Sequence, residues 1–146
     1  MCIRDRLGHL AINVSDPSVS FDWYNKHLGL IPSDKVELGK GSGIYVALFC
    51  RCDLGKKLTD HHSFLLQSNL SSDLISGLNH CAYEVVEVDD IFLGHEVLKD
   101  KNYKHEWGIG RHYAGSQIFD YWRSPYGHVH EPVSYTHLTL PTSDLV

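Results

Sequence analysis

Leu7-Gly-His-Leu-Ala-Ile-Asn-Val14 and Leu78-Asn-His-Cys-Ala-Tyr-Glu-Val85 carry leucine, histidine, alanine and valine at the same four positions, 71 residues apart (78 − 7). Each stretch alternates as a half-buried strand does. A helix signal follows each. Asp16-Pro17 opens a segment bearing Phe21, Tyr24 and Leu28 before Gly29, and Asp89-Asp90 precedes Ile91, Phe92, His95 and Leu98. Strand-like runs come next: Lys35 to Leu38, Gly43 to Cys50 and His62 to Gln67, then Ser116 to Arg123 and Gly127 to Glu131. The order strand, helix, strands is written twice.

Composition bounds the reading. A chain of 146 residues, 42% hydrophobic and 21% charged, is globular and sized for one domain. Thirteen Lys+Arg against eighteen Asp+Glu give a formal charge of −5, which excludes a basic field for nucleic acid. The longest apolar stretch, Ile44 to Cys50, falls far short of the roughly 20 residues a membrane span needs, so no membrane partner is expected. Four cysteines without a regular framework, and no basic-then-apolar leader, suit a cytoplasmic protein. Cys50-x-Cys52 lies along an apolar run and reads as ordinary strand residues. Residues 1–6 and 133–146 read as non-native, adaptor-like ends and are set aside, which leaves Leu7 to Glu131 as the body.

A half of roughly 60 residues leaves one sheet face bare, so the two copies, residues 7–67 and 78–131, are expected to form a single domain in which equivalent residues converge. Along a strand, Leu7, His9 and Ala11 point one way, and His80 occupies the slot of His9 in the second copy. A lone strand histidine is ordinarily structural. Two at one repeat position, in a chain with eleven histidines, call for a shared metal. Gly127-His-Val-His-Glu131 offers a third ligand on a late strand. Parity sets His128 and His130 on one face and Glu131 on the other, and does not by itself choose between them.

These residues, with Trp107-Gly-Ile-Gly-Arg-His112 and Ser116-Gln-Ile-Phe-Asp-Tyr121-Trp-Arg-Ser-Pro-Tyr-Gly127 leading to Glu131, resemble the type I extradiol ring-cleavage dioxygenases. Those enzymes belong to the vicinal-oxygen-chelate superfamily, with its glyoxalase/bleomycin-resistance/dioxygenase fold. The resemblance implies an α+β fold of paired βαβββ modules forming a cupped mixed sheet. It also implies an Fe(II) site, less often Mn(II), held by His9, His80 and Glu131, with His128 and His130 outward and solvated. A two-histidine, one-carboxylate face leaves adjacent positions open for a catecholic substrate and O2. The activity implied is ring opening to a hydroxymuconic semialdehyde-type product, in aromatic catabolism.

The resemblance further assigns His62 as an acid/base beside bound oxygen, His112 as a hydrogen-bond partner of a substrate oxygen, and Tyr121 as the group that stabilises the catecholate. Trp107, Phe119 and Trp122 read as packing aromatics. A homo-oligomer is expected. The rival readings are a Zn(II) or Ni(II) glyoxalase-like isomerase or lyase, and a non-catalytic, resistance-type ligand-binding protein of the same fold. The isomerases commonly place a carboxylate ligand where this chain has His62, and the binding proteins need no intact triad.

Overall fold

The structure, a computed structural model, describes residues 6–57, 59–69, 75–113 and 115–134. In chain order the elements are β1 (Arg6–Val14), α1 (Pro17–Leu28), β2 (Leu30–Glu37), β3 (Tyr45–Cys52) and β4 (Phe64–Ser68), then β5 (Gly77–Glu84), α2 (Val88–Asp100), β6 (Lys104–Arg111), β7 (Ile118–Arg123) and β8 (Val129–Ser134). Parallel and antiparallel pairings both occur, and βαβββ appears twice, so the class is α+β with mixed sheet. The described chain divides into two compact units, residues 10–78 and residues 6–9 with 79–134. The division falls inside β1 and inside β5.

In the first unit the hydrogen-bonded order is β2-β3-β4-β1, with β1 parallel to β4 and the other pairs antiparallel. Helix α1 starts where the sequence signals it. The Asp16 carboxylate accepts from the backbone N–H groups of Ser18 (2.8 Å) and Val19 (3.2 Å), and Pro17 fills the first helical position, where no donor is needed. Gly29 ends the helix in the left-handed region (φ 67°), its N–H donating to the Asn25 carbonyl. Leu30, Leu48, Cys50 and Leu66 form the core, with Ile12, Phe21, Tyr24 and Phe64 packed on it. Cys50 is buried and Cys52, at the strand end, is exposed.

In the second unit the order is β5-β8-β7-β6, with β5 parallel to β8. Helix α2 begins 71 residues after α1 (88 − 17), the offset of the quoted repeat. Asp89 and Asp90 in its first turn favour the positive helix end, and Ile91 and Gly94 are buried.

The structure departs from the sequence reading in three places. β6 was not anticipated, β2 starts at Leu30 rather than Lys35, and strand structure takes in residues that had been set aside with the ends. Arg6 pairs with Glu84, while Val133 and Ser134 are buried in β8. The remainder of those ends, residues 1–5 and 135–146, lies outside the described residues.

Candidate metal centre

The register of β5 and β8 decides the parity that the sequence left open. Ala82 pairs with Glu131, and partners across a ladder share a face, so Glu131 lies on the face of Ala82 and His80. His130 pairs with Cys81 and takes the other face. There it stacks on Tyr83 (5.6 Å between ring centroids, 22° between planes) and is half-buried, where solvation had been expected. Burial, followed by the neighbouring His128, pushes its pKa down. His128 is exposed, as expected.

His9, His80 and Glu131 are all buried. The two Nε2 atoms stand 3.0 Å apart, and Glu131 Oε2 lies 3.2 Å from that of His9 and 3.3 Å from that of His80. These distances make a nearly regular triangle of two nitrogens and one carboxylate oxygen. Oε2 is buried and lacks an aligned hydrogen bond, although both imidazoles are within reach. A buried carboxylate oxygen in that condition is costly unless something else satisfies it. Edges of this length are those of three ligands each about 2.0–2.2 Å from one ion, so the donor set fits a divalent transition metal. The Asn79 side-chain oxygen, 2.7 Å from His80 Nδ1, accepts a hydrogen bond from that nitrogen's N–H and leaves the Nε2 lone pair free for the triangle. Sequence reasoning missed Asn79. Its signal was its place immediately before His80 in the repeated strand.

His112 follows β6 in a tight turn closed by two backbone bonds, its N–H to the Gln117 carbonyl and the Ser116 N–H to its own carbonyl, both 2.9 Å. His112 Nε2 donates to Glu131 Oε1 (3.0 Å), and the Tyr121 hydroxyl is 3.3 Å from the same nitrogen. Burial acts to raise the Glu131 pKa, but the hydrogen bond from His112 and the imidazoles of His80 and His9 beside the carboxylate outweigh it and hold the carboxyl well below its ordinary range. The group is therefore a carboxylate at neutral pH. Tyr121 is also buried. Its ring lies edge-on to His80 at 5.3 Å and stacks with the exposed Trp107 at 5.5 Å and 12°. Phe119 packs against the His112 ring at 4.1 Å.

Five of the six residues singled out from the sequence, His9, His80, Glu131, His112 and Tyr121, thus come together in the second unit. The sixth, His62, belongs to the first unit. It is the buried member of its pair, edge-on to Phe49 at 5.0 Å, with its Nδ1 3.1 Å from that of His61.

A twice-written βαβββ chain that gathers two histidines and a glutamate around one point frames a candidate metal site. The chain belongs to the Glyoxalase/Bleomycin resistance protein/Dioxygenase superfamily, which it matches over residues 6–131. It is 29% identical over 122 residues to metapyrocatechase 2 of Cupriavidus necator, a match covering 84% of this chain and 34% of that protein. The chain therefore spans about a third of that curated relative. Among solved structures it resembles the Mn(II)-bound glyoxalase from Novosphingobium aromaticivorans, with a TM-score of 0.74, 27% identity, and 92% of this chain against 39% of that one. It shares its fold with the 2,3-dioxygenase LapB from Pseudomonas sp. KL28, with a TM-score of 0.79, 13% identity, and 94% against 45%. Among the described residues no helix is long and apolar enough to cross a membrane.

Proposed function

We propose that this chain forms the metal-bearing part of an Fe(II)-dependent extradiol dioxygenase that opens the ring of a catecholic substrate with O2. The observation that carries the reading is the buried His9, His80 and Glu131 triangle, with a carboxylate oxygen that no hydrogen bond satisfies. The metapyrocatechase relative supports the same reaction class. Bound there, Fe(II) would draw charge from an electron-rich ring toward dioxygen, and two histidines with one carboxylate leave room for both reactants.

The chain's own groups do the rest. Asn79 fixes the His80 ring, and Glu131 brings one negative charge that the three imidazoles keep ionised. The Tyr121 hydroxyl, 3.3 Å from His112 Nε2, can donate a hydrogen bond to a catecholate oxygen and so stabilise the anion left when a substrate hydroxyl loses its proton. The Trp107 and Tyr121 rings offer an aromatic face to a flat substrate. His62 enters as an acid/base on the family resemblance alone.

The test is to reconstitute the chain anaerobically with Fe(II), add a panel of catechols and then air, and follow O2 uptake with the visible absorbance of a ring-opened semialdehyde. Uptake should require Fe(II) and vanish in His80→Ala. The 27% identical Mn(II)-bound glyoxalase favours a second reading, an isomerase or lyase using the same triad with Mn(II), Zn(II) or Ni(II). Hemithioacetal isomerisation without oxygen consumption would establish it and overturn the first.

A further inference from the structure

Asp120 lies on the opposite face of β7 from Tyr121, because successive strand residues alternate. Its carboxylate is buried, with 1% of the side chain exposed, and three elements converge on it. His95 Nδ1 on α2 is 3.0 Å from Oδ2, and His105 Nε2 on β6 is 2.9 Å from Oδ1. Trp122 Nε1–H also donates to Oδ2. Among the described residues no lysine or arginine pairs with this carboxylate.

We propose that His95, His105 and Asp120 form a second binding site, separate from the His9, His80 and Glu131 centre, for a divalent transition ion of the zinc class. One ligand atom from each of the three lies within 4.8 Å of the other two. Two imidazole nitrogens and a carboxylate are the donors such ions take, whereas calcium and magnesium prefer oxygen alone. Exposure rises from the carboxylate outward, to 19% for the His95 side chain and 34% for His105, so the anion sits at the bottom and the rings form a rim open to solvent. A register shift between His105 and Trp107 sends Glu106 to Arg123 and aims His105 at Asp120. When an ion enters, each imidazole turns a lone pair to it in place of the N–H it gives the carboxylate. That proton moves to the ring's other nitrogen, and the Trp122 bond stays on Oδ2.

The test uses the full chain, stripped with a chelator and dialysed against Zn2+ or Co2+, with bound metal counted by elemental analysis. Wild type should hold two ions per chain, His105→Ala one, His80→Ala one, and the double variant none. Equal counts in wild type and in folded His105→Ala, even with a lowered melting temperature, overturn the proposal and leave a purely structural clamp. A measurement on wild type needs no variant: as Co2+ is added, the ring resonances of His95 and His105 should shift paramagnetically. Undisturbed resonances at saturation overturn it too. Neither readout depends on the reaction at the other centre.

Discussion

His9 and His80 face each other across 3.0 Å between their Nε2 atoms although 71 residues of chain separate them. What holds one of the two in that pose is Asn79, whose side-chain oxygen accepts a hydrogen bond from the His80 Nδ1–H. Replacing Asn79 with alanine frees the ring to rotate and to change tautomer. Loss of such a partner typically costs about 10–100-fold in metal affinity. Asn79→Ala should show a drop of that order in a competition titration with a chromophoric chelator, with an unchanged far-ultraviolet circular dichroism spectrum. Wild-type affinity would mean the ring is fixed some other way.

Gly110 is required by its neighbour. A Cβ added there would sit 2.6 Å from Phe119 Cζ, and Phe119 is buried against the His112 ring. Gly110→Ala should push the Phe119 ring toward His112 and cost about 1–3 kcal/mol, the usual penalty of overpacking. Equilibrium urea denaturation measures it. The double variant Gly110→Ala/Phe119→Leu should recover part of the loss by relieving the clash.

Burial pushes the Cys50 thiol up to about 11, with Lys35 opposing weakly. The folded state therefore prefers the protonated thiol more than the unfolded state does. That preference contributes in full below pH 9.0, the ordinary value, and is lost as pH climbs through about 11. At about 1.4 kcal/mol per pH unit the alkaline loss is on the order of 2–3 kcal/mol. Stability measured from pH 8 to 11 should fall accordingly, and the slope should flatten in Cys50→Ala. At pH 8 iodoacetamide should label Cys52 and spare Cys50.

Arg123 holds Glu106 through two bonds, Nε to Oε2 at 2.5 Å and Nη2 to Oε1 at 2.6 Å. The bonded guanidinium lowers the Glu106 pKa, against a small opposing effect of burial. The contribution is present above the ordinary glutamate value and disappears as pH falls through the lowered one. Both side chains are about one-third exposed, 32% and 33%, so solvent screening limits the pair to about 1 kcal/mol or less. Arg123→Gln should lose no more than that at pH 7 in low salt. The difference from wild type should shrink in 1 M NaCl and at pH 3.

The repeated strand made much of this legible. Leucine, histidine and alanine recur at one offset because both strands occupy the same place in a repeated unit, and α1 and α2 start at that offset too. The Asp16, Pro17 and Gly29 boundary signals act locally, so they survive without tertiary information. What stayed hidden depends on contacts far along the chain. β6 contains Gly108 and Gly110, residues that weaken a strand pattern, but the second glycine is there to admit the Phe119 ring. β2 begins at Leu30 with Pro32 inside it, a residue that argues against a strand unless the strand is at an edge, as this one is. The choice of Glu131 over its histidine neighbours required the register with β5, which no window of β8 alone contains.

The triangle of donors is drawn from β1, β5 and β8, near the start, middle and end of the described chain. During synthesis its carboxylate is therefore missing until the last of those strands has left the ribosome. A nascent chain would have no complete chelate with which to capture an ion, so on the proposed function the ion would be taken up only after β8 has been made. Expression under different metal supplements should then change which ion the purified protein carries.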